Sequence, residues 1–492
     1  MERALSFLDS KQDRDAAALT CRSWRSLLSG RLRTMVCVQL DLKDIRAPPA
    51  GTIPHYFRQS ERRWSHAAEE VQQAMAAFPA ATSLTIQGLN CDLSSSGRQL
   101  FPPMVATVGA VSLFPSLPSR LTSLSLRDVC LVNTRQWASH LAIDCPALTH
   151  LHLKLVDLNY IESAPSSRQM ITDSHLAALA HGCRRLTSLT IYASMEAVTD
   201  TGLETLLRHS AALSHLSLCY IPYNYRWPST LQGWGLRGAC NSASLTSAPL
   251  TCLTLRFFKA LTFDGLEEGF SSGLGATLRS LTLDGAKVDM QRKHSADQEI
   301  VKLIARHCSR RLESLRLCQI NHYNYRDRNG GHLLNSAGAA AAGVDDDDGT
   351  QPRVMSFPAL KSLYMRDFPH DLLSKSLSGS LLQWETLARG SPMLQHLHAS
   401  HCFGREFRVP HLLACIATRC HSLRTLTLAH HDILHLPARK PLERFMMSHP
   451  NVQVRVQYTD PDSDFYAKSS DDRYVEKVEA LHINKTTTQL LS

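Results

Sequence analysis

The chain has 492 residues, more than one compact hydrophobic core usually organises, so it is either several domains or one architecture lengthened by repetition. With 43 % hydrophobic and 20 % charged residues it is not a largely disordered chain. A formal net charge of +9 is mild for this length, and without a dense basic patch or a reading module no nucleic-acid partner is expected.

The first residues, Met-Glu-Arg, are not followed by an apolar run, so a secretory leader is not expected. Within the opening segment "ALSFLDSKQDRDAAALTCRSW", Leu5, Phe7 and Leu8 close one apolar helix and Asp13 can cap the next. Leu19, Cys21, Trp24 and Leu28 then line a second helical stretch. The run "FPPMVATVGAVSLFPSLP" at 101–118 holds four prolines and is too short to span a bilayer as a helix. It reads as part of a loop insertion at about 90–118, and no membrane partner is expected.

From residue 121 onward ten hexads share one spacing: "LTSLSL" at 121, "LTHLHL" at 148, "LTSLTI" at 186, "LSHLSL" at 213, "LTCLTL" at 250, "LRSLTL" at 278, "LESLRL" at 312, "LKSLYM" at 360, "LQHLHA" at 394 and "LRTLTL" at 423. Central leucines are 27 residues apart from Leu124 to Leu151 and from Leu189 to Leu216, 28 from Leu253 to Leu281 and 29 from Leu397 to Leu426. That is the leucine-rich-repeat period, and steps of 34 to 48 residues are the same unit with insertions. "TSLTIQ" at 82 and "NVQVRV" at 451 read as degenerate end repeats. Stretches such as "SHLAALAHGC", "TGLETLLRHS", "EIVKLIARHC" and "HLLACIATRC" carry apolar residues every three or four positions and predict helices. The expected fold class is therefore α/β: a leucine-rich-repeat solenoid over 35–457, with a curved parallel sheet inside and helices outside, because one strand-helix unit cannot bury its apolar edge alone.

Cys145, Cys183, Cys308 and Cys420 fall where repeat helices end. The chain has no CxxC pair, so these read as small core residues, not zinc ligands. Fourteen cysteines without a leader imply reduced thiols and a cytoplasmic or nuclear location. Residues 326–353, rich in Gly, Ala and Asp, form a second expected insertion, and Asp345 to Asp348 lack the alternating spacing of a calcium loop. A polar tail follows from 458 to 492.

Strand alternation also names the ligand face. The leucines point into the solenoid, so the alternate positions face the concave side. There lie Arg127, Lys154, Arg256, Arg316 and Arg366 against one acid, Asp284, together with His150, His152, His215, His396 and His398. The planar arginine fork suits carboxylate and phosphate, which makes an acidic or phosphorylated protein segment one expected ligand. Solvated strand residues with no ligand are the plain alternative. His150/His152 and His396/His398 have a spacing that could begin a metal site, but no third or fourth ligand lies nearby in sequence, and no metal is expected. "HHD" at 430–432 stands without a marked nucleophile, so catalysis is not expected either.

The segment "DSKQDRDAAALTCRSW" resembles the F-box, most of all that of plant F-box leucine-rich-repeat proteins of the auxin and jasmonate receptor family. The resemblance covers the later two-thirds of the motif; the Leu-Pro-x-Glu helix with which a typical F-box begins does not appear in the sequence. It implies that residues 1–34 are an all-α F-box-like segment binding a Skp-type adaptor through Leu5, Phe7, Leu8, Leu19, Cys21 and Trp24. It further implies a non-catalytic substrate receptor of an SCF-type, cullin-RING ubiquitin ligase whose repeats select the protein substrate, and an inositol phosphate as a candidate cofactor. Two alternatives stand beside it: residues 1–34 simply cap the end of the solenoid, or the chain is a repeat scaffold with no part in ubiquitin transfer.

Overall fold

A strand that alternates leucine with polar residues places its leucines on one face, and that face stays wet until a second layer covers it. In the computed structural model all ten hexads become strands. The residues described are 35–40, 75–76, 81–88, 106–109, 117–132, 137–155, 171–220, 230–240, 250–258, 260–285, 288–289, 296–318, 356–366, 386–400, 409–429 and 436–457. The F-box-like segment, residues 326–353 with Asp345 to Asp348, the "HHD" triplet and the C-terminal tail lie outside them. The chain divides into two units, Met1–Leu231 with Gly238–Leu250, and Gln232–Arg237 with Thr251–Ser492.

The first unit carries β1 (Met35–Leu40), β2 (Ser83–Gly88), β3 (Ala106–Gly109), β4 (Ser123–Val132), α1 (Trp137–Asp144), β5 (His150–Leu155), α2 (Asp173–Gly182), β6 (Ser188–Ala193), α3 (Asp200–His209) and β7 (His215–Tyr220). Its strands are parallel in the order β1-β2-β4-β5-β6-β7. Leu84, Leu124, Leu151, Leu189 and Leu216 are direct cross-strand neighbours, although the sequence between them varies in length. Insertions are thus absorbed outside the strands. Part of the 101–118 run is not loop: β3 pairs with Val129–Val132, the extension of β4 beyond its hexad. Its short β-branched "ATVG" was hidden in sequence by the flanking prolines.

Helices α1, α2 and α3 back this sheet, and Leu141, Leu176, Leu179, Leu203 and Leu206 are fully buried with the strand leucines. His175 joins this layer: its ring stacks on that of Trp137 at 5.4 Å, while its Nδ1 accepts from the Thr172 N–H at 3.1 Å and so ties down the start of α2. Asp173 reaches the next repeat, accepting from the backbone N–H of Thr199 at 2.8 Å and from its hydroxyl at 2.6 Å.

The second unit carries β8 (Cys252–Arg256), β9 (Leu261–Thr262), α4 (Phe263–Gly269), β10 (Ser280–Asp284), β11 (Val288–Asp289), α5 (Ala296–Cys308), β12 (Ser314–Cys318), β13 (Ser362–Arg366), β14 (His396–Ser400), α6 (Val409–Arg419), β15 (Thr425–Ala429), α7 (Leu436–Ser448) and β16 (Gln453–Gln457). Strands β8-β10-β12-β13-β14-β15-β16 are parallel in that order, and β9 pairs with β11. Each unit is an α/β leucine-rich-repeat solenoid built as the period in the sequence predicts. Among the described residues no helix is long and apolar enough to cross a membrane.

The turn from helix to strand is the same in both units. The N–H of Cys145 donates to Leu141 O, that of Cys183 to Leu179 O and that of Cys420 to Ile416 O; the leading leucine of the next hexad then donates to the cysteine's carbonyl. Ser210 and Ser391 occupy this position in two other repeats, with the same backbone bonds to the following Leu213 and Leu394. The side chain points into the core, so it must be small and should be apolar. Cys145, Cys183, Cys219, Cys252, Cys308, Cys318, Cys415 and Cys420 are free thiols. Burial pushes the thiols of Cys145 and Cys308 up to about 12 and those of Cys183 and Cys420 up to about 11, with Cys183 and Asp144 adding at Cys145 and Cys415 adding at Cys420.

Two outcomes are expected. The hydroxyls of Ser210 and Ser391 are buried without a hydrogen-bond partner among the described residues, so Ser210→Cys and Ser391→Cys should each stabilise the fold by about 1 kcal/mol in urea titration, where a surface Ser→Cys change would do nothing. The four turn thiols should resist iodoacetamide at pH 8 in the native chain and react once it is unfolded, as mass spectrometry of the alkylated peptides would show. Because the unfolded chain releases these protons near the ordinary value of 9.0 and the folded chain does not, folding stability should fall as pH rises from about 9 toward 11.

Candidate functional site

On the strand face opposite the leucines, parallel register sets side chains from successive repeats in rows one strand spacing apart, about 4.8 Å. Residues far apart in sequence become neighbours only through this register.

In the first unit one row runs Arg127 to Lys154, paired directly across β4 and β5. Arg127 is exposed, and its Nε donates to Ser125 Oγ at 3.2 Å. His150 and His215 are exposed at the strand starts, each with Nδ1 at 2.8 Å from the hydroxyl of the residue before it, Thr149 and Ser214. His152 meets Tyr192 with ring centroids 5.7 Å apart. The described face of this unit therefore carries the basic pair Arg127 and Lys154, with histidines, serines and threonines on the rows beside it, and the carboxylate-centred arrangement of the second unit does not recur on its described strands. Among the described residues no group of three or more His, Cys, Asp or Glu side chains could hold a metal.

The second unit is different. Arg256, Asp284, Cys318 and Arg366 form one row, and Arg316, Tyr364 and His398 the next. Asp284 is the centre: its carboxylate is 8 % exposed, Oδ2 accepts from Arg256 Nε at 3.1 Å, and the same oxygen stands 3.9 Å from Arg316 Nη2. The Arg316 guanidinium lies over the Tyr364 ring at 4.1 Å, and Tyr364 stacks on His398 at 3.9 Å with planes 12° apart. Burial works to discharge Arg316, yet Cys318, Tyr364 and Asp284 outweigh it and hold the guanidinium above its ordinary range. Cys318 is pushed the other way from reactivity: burial, with Asp284 adding, raises its thiol against the opposing pull of Arg316 and Arg366.

The backbone beside this cluster is equally constrained. Phe257, which follows Arg256, adopts φ 64°, and its N–H donates to Asp284 O at 2.7 Å. Gly285, which follows Asp284, adopts φ 61° and donates to Cys318 O at 2.8 Å. A Cβ on Gly285 would stand 2.3 Å from Phe257 Cδ1, so only glycine lets the phenyl ring lie there. A left-handed non-glycine residue stores strain that its surroundings must over-determine.

Several expectations change here. Asp284 was expected only as an opposing charge; it accepts a hydrogen bond from Arg256 and holds Arg316 as a second ion-pair partner at 3.9 Å. His398 lies on the expected face, in the row of Arg316 and Tyr364, but it is only 8 % exposed, its ring stacked against Tyr364. His396 does face solvent, its Nδ1 2.8 Å from Thr425 Oγ1. Tyr364 escaped sequence reading because an aromatic residue at an alternate strand position has no mark of its own. Arg455 escaped because its repeat looked degenerate; it lies on the same face, with Nη2 donating to Gln453 Oε1 at 2.9 Å and Nε buried without a partner among the described residues.

No protein-family model matches the chain, and no curated protein matches it. Among solved structures it is similar to the leucine-rich-repeat-containing protein LegL7 from Legionella pneumophila, at 14 % identity over 86 % of this chain and 91 % of that chain, with a TM-score of 0.33. Its architecture is that of a leucine-rich-repeat protein on the ground of its own period and strand register.

Proposed function

We propose that this chain is a non-catalytic recognition subunit: the repeats bind a protein partner on the strand face, and the F-box-like segment delivers that partner to an SCF-type ubiquitin ligase. The recognition half is supported by one observation above the rest, the convergence of Arg256 and Arg316 on Asp284, with the Arg316 guanidinium laid over Tyr364. The delivery half is supported by the order of residues in "DSKQDRDAAALTCRSW", whose Trp24 and Leu19 would be the apolar anchors on a Skp-type adaptor and cullin-RING assembly. The competing scaffold reading keeps the first half and drops the second.

The residues around Asp284 do not fit an inositol polyphosphate. A carboxylate stands among the arginines, bonded to one and within 3.9 Å of another, where several phosphate groups would have to gather. The cluster suits a ligand carrying one anionic group at a time, as an acidic protein segment does.

Trp24→Ala or Leu19→Ala should abolish co-purification with a Skp-type adaptor while the repeats keep their thermal unfolding transition, since a buried aromatic anchor carries about 2 kcal/mol or more of an interface, roughly thirtyfold in affinity. Failure of the unsubstituted chain to bind any such adaptor would leave the scaffold reading in place.

A further inference from the structure

We infer that Arg316 is the specificity-determining contact of the second unit, that Asp284 and Tyr364 are its positioning residues, and that the group it fits is a carboxylate on an acidic protein segment. The inference rests on the reading of the strand face as the recognition surface and adds which residue reads the partner, and how.

Along the described ladder β8-β10-β12-β13-β14-β15-β16 the charge has one sign apart from its centre. Of the charged residues at its positions alternate to the leucines, Arg256, Arg316, Arg366 and Arg455 are basic and Asp284 is acidic. Asp284 is inaccessible to a partner, since its side chain is only 8 % exposed, whereas the Arg316 side chain is 42 % exposed. A partner therefore meets guanidinium and not carboxylate.

Arginine free in solution has many rotamers, and ordering one on binding costs affinity. Here the ordering is already done. The plane of the Arg316 guanidinium is set by the Tyr364 face at 4.1 Å, and that ring is fixed from behind by His398. Its reach across the sheet is set by Asp284 at 3.9 Å. Asp284 also holds Arg256 on the neighbouring side, so that two like charges on nearby strands converge and do not swing apart. A planar donor group held in this way matches the planar acceptor of a carboxylate.

This leads to an expectation opposite to that of charge alone. Removing a negative charge beside an anion site should tighten anion binding through space. If Asp284 positions the arginines, removing it should weaken binding.

The test uses the purified full chain and a fluorescein-labelled hexaglutamate peptide, with hexaglutamine as the neutral control, read by fluorescence anisotropy at low ionic strength and again at about 0.15 M salt. Hexaglutamate should bind and hexaglutamine should not. Arg316→Gln should weaken binding by about tenfold or more, and Arg316→Lys, which keeps the charge but not the plane, by several-fold. Asp284→Asn should weaken it about threefold or more. Tyr364→Leu should match Arg316→Lys, and Tyr364→Phe, which keeps the ring face, should restore the affinity that Tyr364→Leu loses. Thermal unfolding of each variant reports folding, and should Asp284→Asn fail to fold, the Arg316→Lys and Tyr364 variants decide the matter. Tighter binding by Asp284→Asn, or equal binding by Arg316→Lys, overturns the positioning roles while the recognition face stands. Absence of hexaglutamate binding to the unsubstituted chain overturns the acidic partner itself. The adaptor interaction is a separate measurement and is untouched by either result.

Discussion

A parallel strand cannot satisfy its own backbone, and in this protein every strand depends on the repeat beside it. The carbonyl of Thr122 accepts the N–H groups of both Thr149 and His150, that of Thr149 accepts those of Thr187 and Ser188, and the pattern continues in the second unit from Thr251 through Arg279, Glu313, Lys361, Gln395 and Arg424. This shared acceptor locks the register of each strand to the last. A slip by one residue would turn every leucine toward water, at about 2 kcal/mol for each side chain. Register, leucine burial and the rows of side chains on the other face are consequences of one repeated backbone contact.

The two units reinforce that contact with different chemistry at the same repeat position. In the first, Thr122, Thr149, Thr187 and Ser214 each add a hydroxyl bond of 2.9 to 3.1 Å to the carbonyl of the preceding repeat. In the second the corresponding residues are Arg279, Glu313 and Lys361, with Lys361 Nζ 2.6 Å from Glu313 and Arg279 Nη1 3.6 Å from it. Lys361 first, and Arg279 with it, hold the Glu313 carboxyl below its ordinary range. These ions are exposed and screened, so they contribute little to stability. The hydroxyls, part-buried and bound to backbone, are the firmer version of the same device.

The site in the second unit depends on the same register but breaks the rule of an apolar interior and a wet face. Asp284 is a carboxylate nearly excluded from solvent, tolerable because Arg256 donates directly to it and Arg316 stands close. The stack of Arg316, Tyr364 and His398 runs across three adjacent strands, so it exists only while β12, β13 and β14 keep their alignment. The left-handed Phe257 and Gly285 hold the strand ends beside it. Recognition chemistry and fold are thus coupled through a few ångströms of backbone.

The repeat period, the strands of the ten hexads, the helices α2, α3, α5 and α6, the buried leucines and the small core cysteines Cys145, Cys183, Cys308 and Cys420 were legible in the sequence, because each depends on spacing of 2 or 3.6 residues within one repeat. So were the basic residues of the strand face, including Arg256, Arg316 and Arg366, since alternation within a strand decides which way they point. What lay beyond reach was every relation between repeats. That β3 joins β4 inside an apparent loop, that Asp284 gathers two arginines instead of standing apart, that Tyr364 sits between Arg316 and His398, and that His398 is buried all follow from which residue of one strand lies beside which residue of the next. Insertions of different length separate those residues in sequence, while the backbone ladder brings them within about 4 to 6 Å, a distance at which charges and aromatic faces interact. Only the tertiary structure decides that pairing, because hydrogen bonding between strands counts register and not residues.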